Sequence, residues 1–190
     1  LPDKSLREYT RIIIEEADRL QGLMDRMLGP NRLPKPGKVN IHFLLERVRS
    51  LILAEHPNGP LLERDYDPSI PEFMADGDRL FQALLNLVRN AVKATGPTGR
   101  VELRTRVLRQ FTMGGKCHRL VLRVEIQDNG PGIPLELQER IFFPMVTGQA
   151  GGTGLGLPIA QELVNQHGGL IECESHPGEA RFFVYLPLET

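Results

Sequence analysis

Three glycines at alternate positions stand directly before a predicted helix, in the segment GGTGLGL that begins at Gly151. The helix is predicted from about Leu157 to His167, because Gly168 and Gly169 follow it as a helix-ending pair. Free N–H groups and the positive end of the helix dipole meet at the start of a helix, where they attract anions. The segment therefore predicts a phosphate-binding turn, and a glycine turn with a purely structural role is the alternative.

The spacing of these glycines excludes two common nucleotide-binding motifs. Gly152, Gly154 and Gly156 lie two residues apart, whereas the dinucleotide-binding motif GxGxxG has a wider second gap and an acidic ribose partner after a βαβ unit. The Gly-Lys pairs that begin at Gly37 and Gly115 are followed by Val and Cys, whereas a P-loop requires Ser or Thr there. The predicted phosphate site is therefore of another kind.

A carboxylate and two further glycines follow the strand that precedes this turn. Asp128 is in register with the inward-facing apolar residues of that strand, which are Leu120, Leu122, Val124 and Ile126. An inward carboxylate needs a donor, and the exocyclic amine of adenine is one. Gly130 and Gly132 would let a flat ring approach the backbone. The alternative is a simple strand-ending turn, which the sequence DNGPG also favours.

A helix predicted from its N-cap Asp76 to about Thr95 carries a polar stripe opposite its apolar one. The apolar stripe consists of Leu80, Leu84, Leu87 and Ala91, and the polar stripe consists of Gln82, Asn86, Asn90 and Lys93. An asparagine oxygen is a hard, neutral ligand that suits Mg²⁺, and a lysine one turn away would neutralise a phosphate. The alternative for the polar stripe alone is a solvated helix face.

Composition limits the classes of protein to which the chain can belong. With 190 residues, 41% of them apolar and 25% charged, it is long enough for one or two globular domains. The net charge of -1, without a concentrated basic run, argues against a nucleic-acid partner. No apolar stretch approaches the roughly 18 residues that cross a membrane. We therefore expect a soluble, cytoplasmic protein without a membrane or nucleic-acid partner.

The remaining periodicity predicts the order of domains and elements. A seven-residue apolar repeat predicts a bundle helix within residues 1–29, and a run of Pro and Gly predicts a linker over 30–37. Residues 38–190 form the predicted second domain, an α/β two-layer sandwich. Its mixed sheet of about five strands, including an antiparallel hairpin, is covered on one face by helices. The Gly- and Pro-rich stretch 128–156 is too long for a simple connection and predicts a lid.

The motifs, taken in order along the chain, resemble those of the GHKL (Bergerat) ATP-binding fold. Asn90 resembles its N box, Asp128 its G1 box and the glycines at 152–156 its G2 box. Residues 141–144, with the sequence IFFP, resemble the F box of sensor histidine kinases. The opening helix resembles the second helix of their dimerisation and histidine-phosphotransfer hairpin. The segments LLNLVRNAVKA and FFPMVTGQAGGTGLGLPIA are similar to those of the nitrogen-regulation kinases of the NtrB type.

This resemblance implies a role for each candidate residue. Asn90 would be the Mg²⁺ ligand, with Asn86 beside it and Lys93 near the phosphates of ATP, and Asp128 would bind adenine. The expected base-pocket residues are Gly130, Gly132 and Ile133. The expected phosphate-binding residues are Gly152, Thr153, Gly154, Leu155, Gly156 and Leu157, and the expected lid braces are Phe142 and Phe143.

The resemblance also implies a reaction and a set of partners. Related ATPases carry a Glu one turn before the metal-binding Asn to activate water, and Asn86 occupies that position here, which favours a kinase over a hydrolase. No histidine of the sequence has the expected motif of the phosphoacceptor. We therefore expect a fragment that lacks the first hairpin helix and transfers the γ-phosphoryl group of Mg·ATP to a histidine outside it. The alternative is a nucleotide-responsive docking module without turnover.

The implied partners are those of an intact kinase of this type. They are the histidine-bearing helical hairpin of a homodimer, a response regulator, and a small signalling protein that reports nitrogen status.

Overall fold

The computed structural model describes residues 34–146 and 154–188. The helix predicted within residues 1–29 lies outside these ranges, and so do Gly151, Gly152 and Thr153. A compact unit extends from Lys35 to Thr190. Within the described ranges, no helix is both long and apolar enough to cross a membrane.

The described residues of this unit contain seven strands, which form two sheets. They are β1 (Gly37–Val39), β2 (Leu61–Asp65), β3 (Phe73–Ala75), β4 (Arg100–Met113), β5 (Lys116–Asp128), β6 (Leu170–His176) and β7 (Glu179–Pro187). The large sheet has the strand order β2-β4-β5-β7-β6, in which β2 and β4 are parallel and all other neighbours are antiparallel. The short strands β1 and β3 pair separately. This five-stranded mixed sheet confirms the predicted fold class.

Within residues 34–146 and 154–188, four helices accompany the sheets, namely α1 (Ile41–Glu55), α2 (Gly77–Thr95), α3 (Leu135–Gln138) and α4 (Gly156–Asn165). The apolar stripes of α1, α2 and α4 join the inward residues of the large sheet in one buried core. Leu84 and Leu87 of α2 and Ile126 of β5 are almost completely buried in it. Burial of these side chains supplies the main driving force for packing the helices on one face of the sheet.

The structure differs from the predicted elements in three places. The first strand, Gly37–Val39, begins at the last residue of the predicted linker and overlaps the linker by that one residue. Strand β3 was not predicted, because its three residues follow Pro71 and are too few to show an alternating pattern. The short helix α3 lies within the stretch 128–156, in which no helix was predicted.

Asp76 connects α2 and α4 through its side chain and its backbone N–H together. Its Oδ1 accepts a hydrogen bond from the Arg79 backbone N–H at 3.1 Å, which caps the N-terminus of α2. The Asp76 backbone N–H donates to Nε2 of His167, which lies just after α4, at 3.1 Å. The Lys35 backbone N–H donates to Asp76 Oδ2 at 2.9 Å. These bonds fix the start of α2 against the end of α4.

Candidate functional site

The polar stripe of α2 lies beside the start of α4. Asn86 and Asn90 are half-buried, and Lys93, in the last turn of α2, is exposed. A β-carbon placed on Gly156 would lie 3.9 Å from Cβ of Asn86, so the first residue of α4 is a close neighbour of this amide. The helix end predicted to bind phosphate therefore lies beside Asn86, which is one turn of α2 from the predicted metal ligand Asn90.

Asp128 lies at the end of β5 with almost its entire side chain buried. Only 1% of the residue is exposed, and its partner across the ladder to β7 is Ala180, whose side chain has no polar group. Asp128 Oδ1 accepts a hydrogen bond from the Gly130 N–H at 3.0 Å. Asp128 Oδ2 is buried and has no hydrogen-bond partner among the described residues. A buried carboxylate oxygen without a donor is costly, and the exocyclic amine of a purine would satisfy it.

The protonation of Asp128 reflects this environment. Burial raises the pKa of its carboxyl group, the hydrogen bond from Gly130 lowers that pKa, and the charge of Glu179 raises it further. The net direction is upward. A donor brought by a ligand would oppose this effect, because hydrogen bonds to the carboxylate favour its charged form.

Gly130 places the turn after Asp128 against the end of α2. A β-carbon on Gly130 would lie 2.8 Å from Asp128 Oδ1 and 3.0 Å from the carbonyl oxygen of Ala94, so a larger residue would displace the turn or the helix. Asn86 and Ala94 are eight residues apart on α2, so about 12 Å of helix separates the start of α4 from the turn after Asp128. Both features therefore lie along α2, the helix that carries Asn90.

Gly154 closes the lid segment onto the start of α4. Its φ of +64° is in the left-handed region, and its carbonyl oxygen accepts a hydrogen bond from the Met145 N–H at 3.0 Å. A β-carbon here would come within 2.7 Å of the Met145 carbonyl carbon. Glycine is thus required both by the backbone conformation and by the close approach of the lid segment.

We expect Gly154→Ala to weaken ATP binding by at least about 10-fold, because the lid segment must move away from α4 to admit the new methyl group. Isothermal titration calorimetry with Mg²⁺ and ATP measures this effect. Gly114→Ala is the matched control, since Gly114 has a φ of +57° at the tip of the β4–β5 hairpin, with no atom within 4 Å of the added β-carbon. An equal loss of affinity in both variants would contradict the role of Gly154.

The other predicted site residues differ in their exposure. Ile133, Phe142 and Leu157 are half-buried and pack against the core, and Leu155 is buried. Phe143 is 58% exposed, whereas its neighbour Phe142 contacts the core. Of the two phenylalanines predicted to brace the lid, Phe142 is therefore the one with packing contacts to the core.

Two polar residues that the sequence motifs did not identify contact the turn after Asp128. The Ile133 backbone N–H donates to Ser175 Oγ at 2.8 Å, and the Gln138 side-chain amide donates to the Ile133 carbonyl oxygen at 2.8 Å. The sequence contained a signal for Ser175, because this polar residue lies on the same face of β6 as the buried Ile171. Asp128 likewise lies on the same face of β5 as buried apolar residues. The sequence contained no such signal for Gln138, since α3 itself was not predicted.

Comparison with protein families gives one match that covers more than half of the chain. The model described as "Histidine kinase-, DNA gyrase B-, and HSP90-like ATPase" matches residues 75–190. The match begins next to the N-cap of α2 and includes the predicted N, G1, F and G2 boxes.

Curated relatives match nearly the whole chain. The sensory histidine kinase/phosphatase NtrB of Vibrio alginolyticus is 52% identical over 190 residues, which are 99% of this chain and 54% of that protein. The protein of the same name from Rhodobacter capsulatus is 39% identical over 186 residues, which are 95% of this chain and 52% of that protein. The chain thus spans about half the length of the curated relatives it matches.

Solved structures of histidine kinases share the fold. The catalytic domain of the histidine kinase ThkA, in a nucleotide-free form, is 29% identical with a TM-score of 0.70, covering 81% of this chain and 96% of that domain. ThkA in complex with the response regulator protein TrrA is 27% identical with a TM-score of 0.75, and the match covers 97% of this chain and 52% of the ThkA chain. Full-length ShkA in complex with AMPPNP is 30% identical with a TM-score of 0.74, and 97% of this chain and 39% of ShkA are covered.

Proposed function

Because this chain belongs to the family of histidine kinase-, DNA gyrase B- and HSP90-like ATPases, we propose that it is the ATP-binding catalytic part of a sensor histidine kinase of the NtrB type. In this proposal it transfers the γ-phosphoryl group of Mg·ATP to a histidine on a separate helical segment. The single observation that supports the proposal most strongly is Asp128 Oδ2, which is buried and has no hydrogen-bond partner in the described part of the chain. The turn after Asp128 meets the end of the helix that carries Asn86 and Asn90.

The residues of the site fit ATP and Mg²⁺ by their chemistry. Asp128 Oδ2 would accept from the adenine amine, while the N–H groups at the start of α4, around Gly156, would bind the phosphates. The amide oxygen of Asn90 suits Mg²⁺, and Lys93 would balance phosphate charge. When bound, ATP supplies the phosphoryl group for transfer and Mg²⁺ neutralises the charge of its phosphates.

Asn86 favours phosphoryl transfer over hydrolysis. It lies beside the first residue of α4, on the phosphate side of the proposed site. A general base at this place would activate water, but an amide does not accept a proton from water at neutral pH. The site therefore excludes side-chain activation of water at this position and leaves the γ-phosphoryl group for another nucleophile.

We propose further partners from the relatives and from the resemblance of the motifs. The phosphoacceptor is the helical hairpin of the intact kinase homodimer, and the phosphoryl group then passes to a response regulator. The complex of ThkA with TrrA supports the second step by similarity. The NtrB relatives support a role in nitrogen regulation, with a small signalling protein that reports nitrogen status as a further partner.

A transfer assay tests this function. The chain is incubated with γ-labelled ATP, Mg²⁺ and a separate hairpin from an NtrB-type kinase, and we expect label on the hairpin. A hairpin whose acceptor histidine is replaced by glutamine is the matched control and should remain unlabelled. Bound ATP without label on the hairpin would contradict the kinase proposal and support a docking module without turnover.

A further inference from the structure

We infer that Ser175 is a positioning residue that holds the wall of the base pocket in its binding conformation, with Gln138 as its partner. This inference rests on the proposed binding of ATP. The wall in question is the turn Gly130–Ile133, which follows the adenine-binding candidate Asp128. Neither Ser175 nor Gln138 belongs to the sequence motifs that predicted the site.

The hydroxyl group of Ser175 joins three elements. It accepts a hydrogen bond from the Ile133 N–H at 2.8 Å and donates one to the carbonyl oxygen of Glu179 at 3.0 Å. Ser175 is buried near the end of β6, and Glu179 begins β7. The turn is thus tied to β6 and β7, two paired strands of the large sheet.

Gln138 fixes the same turn from the side of the lid. Its side-chain Nε2 donates to the carbonyl oxygens of Ile133 at 2.8 Å and of Ser175 at 3.2 Å. Both hydrogens of the amide are therefore used, and both acceptors belong to the junction of the turn with β6. Because Gln138 is the last residue of α3, this helix is anchored to the base-pocket wall at its C-terminal end.

The turn also makes direct backbone contact with the β6–β7 connection. A β-carbon on Gly132, whose φ is +80°, would lie 2.2 Å from the carbonyl oxygen of His176. The Gly178 N–H donates to the Pro131 carbonyl oxygen at 3.3 Å. A hydrogen bond from the Gly130 N–H to Asp128 Oδ1 holds the start of the turn, and one from the Ile133 N–H to Ser175 Oγ holds its end.

This arrangement orients the carboxylate as well as the wall. One oxygen of Asp128 binds the start of the turn, which leaves the other oxygen for a ligand. If the end of the turn were released from Ser175, the turn would keep its other contacts but lose part of its order, and ligand binding would have to restore that order. Ser175 therefore acts on the base through other groups and need not touch it.

Two ligands, one with a base and one without, distinguish this positioning role from a general loss of structure. We expect Ser175→Ala to weaken the binding of a nonhydrolysable ATP analogue with Mg²⁺ by about 10-fold, since ligand binding must then order a turn whose end has lost its hydrogen bond to β6. The same variant should bind inorganic tripolyphosphate with Mg²⁺ as the wild type does, because tripolyphosphate has no base. Ser175→Thr retains the hydroxyl group and should restore binding of the analogue. Calorimetry measures all these affinities.

Gln138→Glu supplies a second variant of nearly unchanged size. It replaces the donating amide with a carboxylate that faces two carbonyl oxygens. It should therefore also weaken the binding of the analogue without weakening the binding of tripolyphosphate. Ser69→Ala, on an exposed loop, is the control for loss of a serine hydroxyl group. If Ser175→Ala does not fold, as judged by its thermal unfolding, Gln138→Glu decides the question.

The outcomes separate this inference from the proposed function. Equal binding of the analogue by wild type and both variants would overturn the positioning role, and so would an equal loss of analogue and tripolyphosphate binding. A wild-type chain that binds neither ligand would overturn the proposed ATP site itself.

Discussion

Replacing Asn90 with alanine is expected to remove the Mg²⁺-dependent part of ATP binding. Asn90 is half-buried on the same face of α2 as Asn86, and its amide oxygen is the proposed ligand of the metal ion. Replacing groups that merely support metal ligands lowers metal affinity by about 10–100-fold. We therefore expect the loss of the ligand itself to lower the affinity for ATP with Mg²⁺ by at least about 100-fold.

Thermal unfolding measures the effect of Asn90→Ala. A nonhydrolysable ATP analogue present with Mg²⁺ at about 100 times its Kd should stabilise the wild type by about 2.7 kcal/mol, which raises its Tm by roughly 5 °C or more. The variant should lose most of this shift at the same ligand concentration. Asn165→Ala is a matched control, since it removes an exposed asparagine from α4. A full shift in the Asn90 variant would contradict the metal role.

Asp128→Asn is expected to change stability and ATP affinity in opposite directions. Both oxygens of a carboxylate accept hydrogen bonds, whereas an amide has one accepting oxygen. If that oxygen keeps the bond from the Gly130 N–H, the amide NH₂ group faces the adenine amine and repels it. Loss of a hydrogen bond to a charged group is worth about 1.5–3 kcal/mol, so ATP affinity should fall by about 10–150-fold.

The ligand-free Asp128→Asn variant should be at least as stable as the wild type. Burial raises the pKa of Asp128, so the folded state holds its proton more tightly than the unfolded state does. This carboxyl group therefore reduces stability as pH rises through its folded pKa, and the cost is fully present above that pKa. Asparagine removes the cost. A lower Tm of the ligand-free variant, or unchanged ATP affinity by calorimetry, would contradict the assignment.

The fold was largely predictable because its main elements are long and regular. The alternation in β4 and β5 predicted the hairpin, and the separate apolar and polar stripes predicted α2 and its faces. The family match confirms the resemblance to the GHKL ATP-binding fold. The elements that were missed, β3 and α3, have three and four residues, too few for a periodic pattern to appear.

The burial of a candidate site residue was predictable where a charged residue interrupts an apolar pattern. Asp128 continues an inward apolar series as a charged residue, and this signal alone indicated a buried carboxylate that needs a donor. Ser175 and Gln138 could not be assigned in the same way, because their roles depend on a turn from another part of the chain. The roles of all the candidate site residues stay predictions, and Gly152 and Thr153 lie outside the described residues.

A crystal structure of the 190-residue chain with Mg²⁺ and a nonhydrolysable ATP analogue tests the site most directly. The account predicts that the adenine amine lies within hydrogen-bonding distance of Asp128 Oδ2, that Asn90 binds the metal ion, and that the phosphates lie at the start of α4. A nucleotide bound elsewhere on the molecule, or an Asp128 side chain turned away from the base, would contradict it.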